Sequence, residues 1–329
     1  MSNLYIISGA TGMTGNELSR QLVKRGDRVI GFDNFFASSL DTVKDILDNE
    51  LFTFYEYDLN NDGQMDDLRS QVMKVKNDFD SLIYVNCAAV VHTEHFYHID
   101  RTFETNVTGM KKFLDQAIDV GADIYINCST SEVYSMDSYR EGGVCESDFI
   151  LMADAEHSQR TSYAVGKLLT EFFMKDAVDK GQIKGCSIRF ANVYSKNELY
   201  PKHILPHILT SLDKDGSVTL LENSKKNYRT FLDNEDSCSA VMALMDTESA
   251  LDGTIYNVGT KEEIQILDLV KLCAEELGIG EPVIKFEGYR ASDPERRLLN
   301  TDKITKATGW EPRVTLRDGV RSIIKEMKS

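Results

Sequence analysis

The sequence predicts an α/β fold in which a doubly wound parallel sheet is joined to a smaller C-terminal lobe. Three patterns indicate it: an apolar run that enters a glycine loop, a second strand that ends at an acidic residue, and strand-like runs that alternate with helical stretches. The 329 residues suffice for two lobes at roughly 150 residues per domain. The 42% hydrophobic content can fill a large core.

The first pattern is a strand, a glycine loop and a helix. Residues 4–7 form a short apolar run, a loop with three glycines follows, and residues 17–24 have helical character. Such glycines let the backbone approach a pyrophosphate, whose charge sits against the free amides of the helix N-terminus. The loop therefore predicts a Rossmann-type dinucleotide site. Its candidate residues are Gly9, Thr11, Gly12, Met13, Thr14 and Gly15.

The second pattern is the acidic residue Asp33, which ends a predicted strand over residues 28–32, about 20 residues after the glycine loop. A carboxylate at this place accepts the hydroxyls of the adenosine ribose. It favours NAD over NADP, because it would repel the additional phosphate and no arginine follows directly to receive one. An aspartate in an ordinary turn after a strand is the alternative interpretation.

The third pattern is alternation of strands and helices over the rest of the first half. Parallel strands follow from it, and ligands then bind beyond the carboxyl ends of the strands. The predicted strands cover residues 52–57, 81–85, 124–127 and 186–190, and the helical stretches cover residues 107–117 and 164–174.

A candidate catalytic pair lies at the start of a predicted helix, where Tyr163 and Lys167 are four residues apart. This spacing places both on one helical face, so the ammonium can stabilise a phenolate whose ordinary pKa is about 10. A tyrosine made more acidic in this way is a usable general base near neutral pH. The pattern is common by chance, and its weight comes from the motifs around it.

Charge and cysteine usage exclude several classes of protein. The formal net charge of -16 would repel a phosphate backbone, so nucleic acid and anionic membranes are poor partners. A small anionic substrate needs clustered cations, which the second half supplies, although each could be a solvated surface charge. The six cysteines form no metal-ligand spacing and are expected to be reduced, so no metal is predicted. No targeting segment or membrane-length apolar run is found, which predicts a cytoplasmic location.

The ordered motifs resemble the extended short-chain dehydrogenase/reductase family, in particular its NAD-dependent nucleotide-sugar epimerase/dehydratase branch. The resemblance covers nearly the whole chain. It rests on the glycine loop, Asp33, Asp58-Leu59, Cys87-Ala-Ala89, Asn106-Val-Thr-Gly109, Ser129-Thr-Ser-Glu-Val-Tyr134, Tyr163-Ala-Val-Gly-Lys167, Arg189-Phe-Ala-Asn192-Val-Tyr194, Tyr228-Arg-Thr-Phe231, Tyr256-Asn-Val-Gly259 and Gly309-Trp-Glu-Pro312.

The resemblance implies transient oxidation at C4 of the sugar of a nucleotide-diphosphate sugar. Tyr163 would remove the hydroxyl proton, Thr130 would hydrogen-bond the same oxygen, and Lys167 would hold the nicotinamide ribose. Further cofactor contacts are implied for Asp33, Asn34, Asp58, Leu59, Cys87, Ala88, Ala89 and Asn106. Substrate contacts are implied for Arg160, Asn192, Arg229 and Arg297. The family commonly forms homodimers through helices equivalent to residues 101–119 and 163–179.

The turn after the predicted catalytic strand does not determine which reaction follows the formation of the 4-keto sugar. Glu132 resembles the acid/base carboxylate of the family's dehydratases and decarboxylases, or it could simply accept nearby backbone amides. Ser131 stands where thymidine-diphosphoglucose dehydratases carry aspartate, and the Thr-Ser-Glu order resembles uridine-diphosphoglucuronate decarboxylases and guanosine-diphosphomannose dehydratases. Epimerisation or dehydration is the main hypothesis. A decarboxylase, a net C4 dehydrogenase and a non-catalytic NAD-binding sensor or scaffold are the alternatives.

The resemblance also predicts how the chain is divided. Residues 1–192 are expected to form the NAD-binding domain, to which a segment of about 229–257 returns. Residues 193–329 are expected to form mainly the substrate-binding lobe. Residues 136–159 form a segment that is longer and more acidic than is typical of the family. We expect this segment to shape the substrate pocket.

Overall fold

The computed structural model describes residues 2–91, 98–134, 141–158, 161–198, 200–290 and 293–328. Its centre is a seven-stranded sheet in the order β11-β6-β5-β4-β1-β2-β3, with every neighbouring pair parallel. The predicted doubly wound α/β fold is therefore confirmed. The strands of this sheet are β1 (Leu4–Ser8), β2 (Arg28–Asp33), β3 (Phe52–Glu56), β4 (Leu82–Asn86), β5 (Ile124–Thr130), β6 (Lys184–Phe190) and β11 (Asp252–Val258).

Helices cover both faces of the sheet, because its central strands are apolar on both sides and must be shielded from water. The ten helices with described bounds are α1 (Met13–Arg25), α2 (Asp62–Val75), α3 (Ile99–Phe103), α4 (Met110–Asp119), α5 (Thr161–Asp179), α6 (Ile204–Asp215), α7 (Asn234–Met245), α8 (Ile266–Leu277), α9 (Asp302–Thr308) and α10 (Leu316–Met327).

Two apolar cores lie on the two faces of the sheet. One contains Leu18 of α1 and Val241 of α7, and the other contains Leu68 of α2 and Phe113 of α4. Trp310 packs into the first of these cores and donates from Nε1 to Oγ of Ser239, so the end of the chain is tied to the sheet domain.

A third core lies outside the sheet, among α6, α8 and α10, and includes Leu209, Leu269 and Val320. The short strands around it form three small sheets, β10-β7, β12-β9-β14 and β13-β8. They are β7 (Val193–Tyr194), β8 (Ser217–Leu220), β9 (Tyr228–Thr230), β10 (Leu232–Asp233), β12 (Glu263–Gln265), β13 (Val283–Phe286) and β14 (Arg296–Arg297). The chain then returns to the large sheet, because β11 pairs with β6.

Element boundaries differ from the sequence prediction by a few residues. α1 begins at Met13 because Gly12 is still extended, with φ -68° and ψ 167°. The predicted helix near residue 107 begins with a wider π-helical turn over Glu104–Gly109 before α4. No helix within the described ranges has both the length and the apolar character needed to cross a bilayer.

Candidate active site

A cleft with a volume of ≈ 310 Å³ opens beyond the carboxyl ends of β1, β2, β4 and β5. In an open parallel sheet this is where ligands bind, since the strand order reverses there. The cleft brings together most of the predicted cofactor residues and three of the five predicted catalytic ones, while Ser131 and Glu132 do not line it. The predicted residues that line it are Gly9, Thr11, Gly12, Met13, Thr14, Gly15, Asp33, Asn34, Asp58, Leu59, Cys87, Ala88, Ala89, Thr130, Tyr163 and Lys167.

The glycine loop is packed so tightly that side chains do not fit at its two ends. Gly9 has a left-handed backbone with φ 68°, and a Cβ there would lie 2.7 Å from the backbone nitrogen of Ala88. A Cβ on Gly15 would lie 2.1 Å from the carbonyl oxygen of Gly9. No side chain caps the first turn of α1, so its free amides face the cleft. The loop therefore offers a cradle for an anionic group.

Asp33 is the last residue of β2 and lies next to the glycine loop, and Asn34 follows it. The Asp33 carboxylate accepts from the backbone nitrogens of Thr11 at 3.3 Å and Phe35 at 2.9 Å. Asn34 donates from Nδ2 to Asp58 at 2.9 Å. These bonds fix two carboxylates at the carboxyl edge of β2 and β3, in position to accept hydroxyl groups.

The resemblance implies a cofactor contact for Asn106, and the structure places this residue behind the cleft wall. It is 1% exposed and does not line the cleft. Its side chain instead holds the backbone of Val90, accepting from the nitrogen at 2.7 Å and donating to the oxygen at 3.1 Å. Val90 lines the cleft, so Asn106 shapes the cleft wall from behind.

The predicted catalytic residues meet where β5 ends and α5 begins. Thr130 is the last residue of β5, and its hydroxyl accepts from the backbone nitrogen of Glu132 at 3.1 Å and is hydrogen-bonded to Tyr163. Tyr163 and Lys167 lie one turn apart on α5, with 8% and 2% exposure. A hydroxyl, a phenol and an ammonium thus converge on one wall of the cleft.

Burial shifts the pKa values of Tyr163 and Lys167, and for Tyr163 the direction is opposite to the sequence expectation. Burial raises the pKa of Tyr163, against the hydrogen bond to Thr130 that lowers it, and the carboxylate of Glu132 raises it further. Burial also lowers the pKa of Lys167. The helical spacing is as predicted, but removal from water outweighs the expected acidification of Tyr163 in the unliganded protein.

A second cluster of polar groups lies beside the first, outside the lining of the cofactor cleft. Arg297 of β14 donates from Nη1 to Oε1 of Glu132 at 2.5 Å, and Arg229 of β9 donates from Nη2 to Asp293 at 2.9 Å. Arg229 and Arg297 are register partners on parallel strands. Burial, with the neighbouring Arg297, lowers the pKa of Arg229 to about 10. Two neighbouring guanidinium groups and two carboxylates thus meet in this cluster.

The remaining predicted substrate residues are placed as follows. Asn192 joins this second cluster, because its Nδ2 donates to the carbonyl oxygen of Thr230 at 3.3 Å. Ser131 is 2% exposed and lies outside the cleft lining. Arg160 lies outside the described residues.

The cleft also contains residues that the motifs did not single out. Ser38 hydrogen-bonds both Thr11 and Asp33, and Arg101 stacks 3.8 Å over the ring of Phe36. Further lining residues are Thr42, Cys128, Asn197, Glu198, Tyr200 and His203. These residues share no sequence signal, because Ser38 and Thr42 lie between β2 and β3, Arg101 lies on α3 and Cys128 lies within β5.

Comparison with known proteins decides the family. The model of the NAD-dependent epimerase/dehydratase family matches residues 5–259. The chain belongs to this family. It is therefore an NAD-dependent enzyme of the nucleotide-sugar epimerase/dehydratase type, as the motifs predicted.

Several relatives of this epimerase/dehydratase span nearly all of it. The low-salt glycan biosynthesis protein Agl12 of Haloferax volcanii is 25% identical over 97% of this chain and 96% of its own. UDP-glucuronic acid decarboxylase 1 of Arabidopsis thaliana is 24% identical over 98% of this chain and 69% of its own. The structure of UDP-glucuronic acid 4-epimerase from Bacillus cereus superposes with a TM-score of 0.86 at 21% identity, covering 99% of both chains, which shows the same fold.

The cleft of this epimerase/dehydratase fits NAD. The loop from Gly9 to Gly15 leaves no room for side chains where a pyrophosphate approaches the backbone, and the first turn of α1 is uncapped. Asp33 is placed to accept ribose hydroxyls. The buried residues Lys167 and Tyr163 line the same cleft.

Proposed function

We propose that the enzyme oxidises C4 of the sugar of a nucleoside-diphosphate sugar and then converts the 4-keto sugar by epimerisation or loss of water. The observation that carries this proposal is the convergence of Thr130, Tyr163 and Lys167 on one wall of the cleft that fits NAD. A hydroxyl, a buried phenol and a buried ammonium are the groups that proton removal from an alcohol needs.

Each of these three side chains has its own task in the proposal. Thr130 hydrogen-bonds the C4 oxygen and orients it toward the phenol. Tyr163, as phenolate, takes the C4 hydroxyl proton, and Lys167 stabilises that phenolate and binds the ribose next to the nicotinamide. NAD supplies the acceptor for the hydride that leaves C4. Glu132, two residues after Thr130 and bonded to Arg297, then acts on the keto sugar, and the buried Ser131 holds the turn between them.

The paired arginines support a substrate with a diphosphate. Arg229 and Arg297 lie side by side on β9 and β14, and Asn192 is tied to the same small sheet through Thr230. Arginine binds phosphate oxygens with two parallel hydrogen bonds, which fixes the orientation as well as the charge. A nucleoside diphosphate held there would place its sugar at Glu132, which lies two residues after Thr130 in the chain.

A second candidate function is decarboxylation of a nucleotide glucuronate. The observation that favours it is the hydrogen-bonded pair of Glu132 and Arg297 next to Thr130. A sugar carboxylate could bind Arg297 in place of Glu132, and oxidation at C4 then labilises the carboxyl group as carbon dioxide. Five relatives that are 24–26% identical and span 97–98% of this chain are UDP-glucuronic acid decarboxylases of Arabidopsis thaliana, namely forms 1, 2, 4, 5 and 6.

Incubation with NAD and a panel of nucleotide sugars, including glucuronate forms, tests both functions. Mass spectrometry separates an isomeric product, a loss of water and a loss of carbon dioxide, which assign epimerase, dehydratase and decarboxylase respectively. Accumulating NADH assigns a net C4 dehydrogenase. Tyr163→Phe is the control, since it removes the base and keeps the ring. No conversion of any panel member by the wild-type enzyme, or full conversion by the variant, contradicts the mechanism.

The proposal includes a homodimer formed through α3 and α5. Val165, Leu169 and Phe172 follow one another at helical spacing on α5, and all are exposed, with Phe172 at 64%. Phe103 of α3 extends this face at 55% exposure. An apolar face of this size is typical of a protein interface. Light scattering should give twice the chain mass for wild type and a monomer for Phe172→Glu, while a monomeric wild type contradicts the dimer.

Two other expectations from the sequence stay predictions. One is the division into an NAD-binding domain and a substrate lobe at about residue 192, with the return of the chain at about 229–257. The other is the cytoplasmic location.

A further inference from the structure

Two cysteines meet inside the cofactor cleft. Cys87 directly follows β4 and Cys128 lies in β5, and their Sγ atoms are 3.9 Å apart. The register of these parallel strands explains the contact, because Asn86 is paired with Asn127 and the two cysteines directly follow these residues in the chain. Both line the cleft, so small reagents can reach them when it holds no ligand.

The surroundings of the pair favour a thiolate on Cys128. A hydrogen bond from Cys87 lowers the pKa of Cys128, and the buried ammonium of Lys167 lowers it further, against the effect of burial. The same hydrogen bond and burial raise the pKa of Cys87. One thiol of the pair is thus the better nucleophile and the other is its protonated neighbour, the arrangement that disulfide formation uses.

The other buried cysteines of the described chain lack this arrangement. Cys186, Cys238 and Cys273 are 0% exposed and do not line the cleft, and burial raises the pKa of each. Cys145 is partly exposed but lies outside the cleft, where burial and nearby carboxylates raise its pKa. The chemistry therefore distinguishes one pair among six cysteines.

The backbone after Cys87 is in direct contact with the glycine loop. A Cβ on Gly9 would lie 2.7 Å from the nitrogen of Ala88 and 3.0 Å from the carbonyl carbon of Cys87. A bond between the sulfurs would have to draw them from 3.9 Å to about 2 Å, which moves one or both side chains next to that backbone. The loop that receives the pyrophosphate lies against that backbone.

We propose that Cys87 and Cys128 form an oxidisable dithiol site in the cofactor cleft, which hydrogen peroxide converts to a disulfide when NAD is absent, and that the disulfide weakens NAD binding. The site goes beyond the sugar chemistry proposed above and does not depend on which sugar is bound. It makes the NAD content of the enzyme sensitive to peroxide.

The chemistry balances with one molecule of hydrogen peroxide. The Cys128 thiolate attacks a peroxide oxygen, an S–O bond forms, the O–O bond breaks, and the departing hydroxide takes a proton to leave as water. Cys87 then loses its proton and attacks the sulfenic sulfur, so that the S–S bond forms, the S–O bond breaks and a second water leaves. Two thiols are oxidised by two electrons, and peroxide is reduced to two waters.

The test uses the full chain carrying Cys145→Ser, which removes the partly exposed thiol outside the cleft. NAD-depleted and NAD-saturated samples are treated with hydrogen peroxide, quenched with catalase, and assayed for free thiols after denaturation and by peptide mapping without reductant. We expect the depleted sample to lose two thiols and to yield a peptide pair linked through Cys87 and Cys128, which dithiothreitol releases. Saturating NAD should slow the loss at least about fivefold, because the cofactor would cover the cleft that both thiols line. The oxidised protein should bind NAD at least about fivefold more weakly, because the backbone after Cys87 lies against the glycine loop.

Single variants separate the roles of the two sulfurs. In Cys87→Ser, oxidation should stop at a sulfenic acid on Cys128 that dimedone labels, whereas in Cys128→Ser the thiol of Cys87 should react far more slowly. Lys167→Met should slow the oxidation of Cys128, because its thiolate loses a stabilising charge. The proposal is overturned if both thiols survive peroxide in the NAD-depleted protein that retains Cys87 and Cys128. It is also overturned if the disulfide joins other cysteines, or if the NAD affinity is the same before and after oxidation.

Discussion

Arg297 donates a hydrogen bond of 2.5 Å to Glu132, although the two residues are 165 positions apart in the chain. The bond ties β14 of the small sheet to the turn that follows Thr130. The Nε atom of Arg297 is buried with no hydrogen-bond partner in the described part of the chain. A buried donor of this kind favours an acceptor supplied by a ligand, since an unsatisfied polar group is costly.

Replacement of Arg297 should therefore impair substrate binding more than cofactor binding. We expect Arg297→Met to raise the KM for the nucleotide sugar by about 10- to 100-fold, since a hydrogen bond to a charged group contributes about 1.5–3 kcal/mol. The NAD affinity should stay within about twofold. The adjacent Arg296 is the matched control, because it pairs with Glu263 and is 40% exposed. Equal effects of Arg296→Met and Arg297→Met on KM would contradict the assignment.

Tyr163→Phe should lower kcat by about 10²- to 10⁴-fold, the contribution of a positioned general base. NAD binding should be retained, because the ring still fills its place in the cleft. Tyr289→Phe is the control, since Tyr289 is 74% exposed and lies outside the cleft. Single-turnover rates and the bound NAD content provide the readouts. A Tyr163→Phe variant with wild-type kcat would exclude the phenol as base.

The rate should also depend on pH in a direction set by the burial of Tyr163. Its raised pKa means that the phenolate becomes more populated as pH rises, so kcat should rise on the alkaline side of neutrality. Lys167→Met removes the nearby positive charge, which should move this rise to higher pH. Profiles of kcat against pH for both proteins measure the shift. Superimposable profiles would show that Lys167 does not act on Tyr163.

Gly15→Ala should disrupt the cofactor site through contact alone. Its Cβ would lie 2.1 Å from the oxygen of Gly9, so α1 must move away from the loop at a cost of about 1–3 kcal/mol. We expect NAD affinity and thermal stability both to fall. Gly63→Ala on α2 is the control, since its Cβ would meet nothing closer than 3.5 Å. An NAD affinity unchanged by Gly15→Ala would contradict the close approach.

Asp233 should make the stability of the protein depend on pH. Burial raises its pKa from 3.8 to about 6, and the carboxylates of Glu235 and Asp236 add to this. Because the folded protein binds this proton more tightly, the stabilisation is complete below pH 4 and is lost as pH rises toward 6. Asp233→Asn keeps the cap on Glu235 at the start of α7.

The amide variant should therefore unfold with a free energy up to about 3 kcal/mol higher than wild type at pH 7.5 and with no advantage at pH 4, since each pKa unit represents about 1.4 kcal/mol and the pKa rises from 3.8 to about 6. Denaturant unfolding at the two pH values measures the difference. Asp48→Asn, on the exposed surface, is the control and should change neither value. An equal gain at both pH values would exclude titration of Asp233 as the cause.

Arg189 and Glu171 form an ion pair that is only 3% exposed on either side chain, and Ser129 donates to the same carboxylate at 2.5 Å. Arg189→Met would leave a buried carboxylate without its partner, which destabilises a fold by about 3–5 kcal/mol. Lys184→Met breaks an exposed pair with Glu248 and should cost less than about 1 kcal/mol. Similar losses of unfolding free energy in the two variants would contradict the burial argument.

The sequence placed the local parts of the site well. The glycine loop was read from consecutive residues, and the pairing of Tyr163 with Lys167 from helical spacing, because contacts within one turn depend on backbone geometry alone. The direction of the Asn106 side chain could not be predicted in this way. The motif that contains Asn106 is local, but the direction of its side chain is set by the packing of the loop around Val90.

By itself, the sequence determined the fold class, the family and the chemical groups that NAD and an alcohol require, because short ordered motifs indicate each of them. Only the tertiary structure decided which distant groups meet: Glu132 with Arg297, Arg229 beside Arg297, and Cys87 against Cys128. It also decided the pKa direction of Tyr163. Contacts between remote residues and the loss of hydration depend on how all the layers pack, and no local spacing specifies that packing.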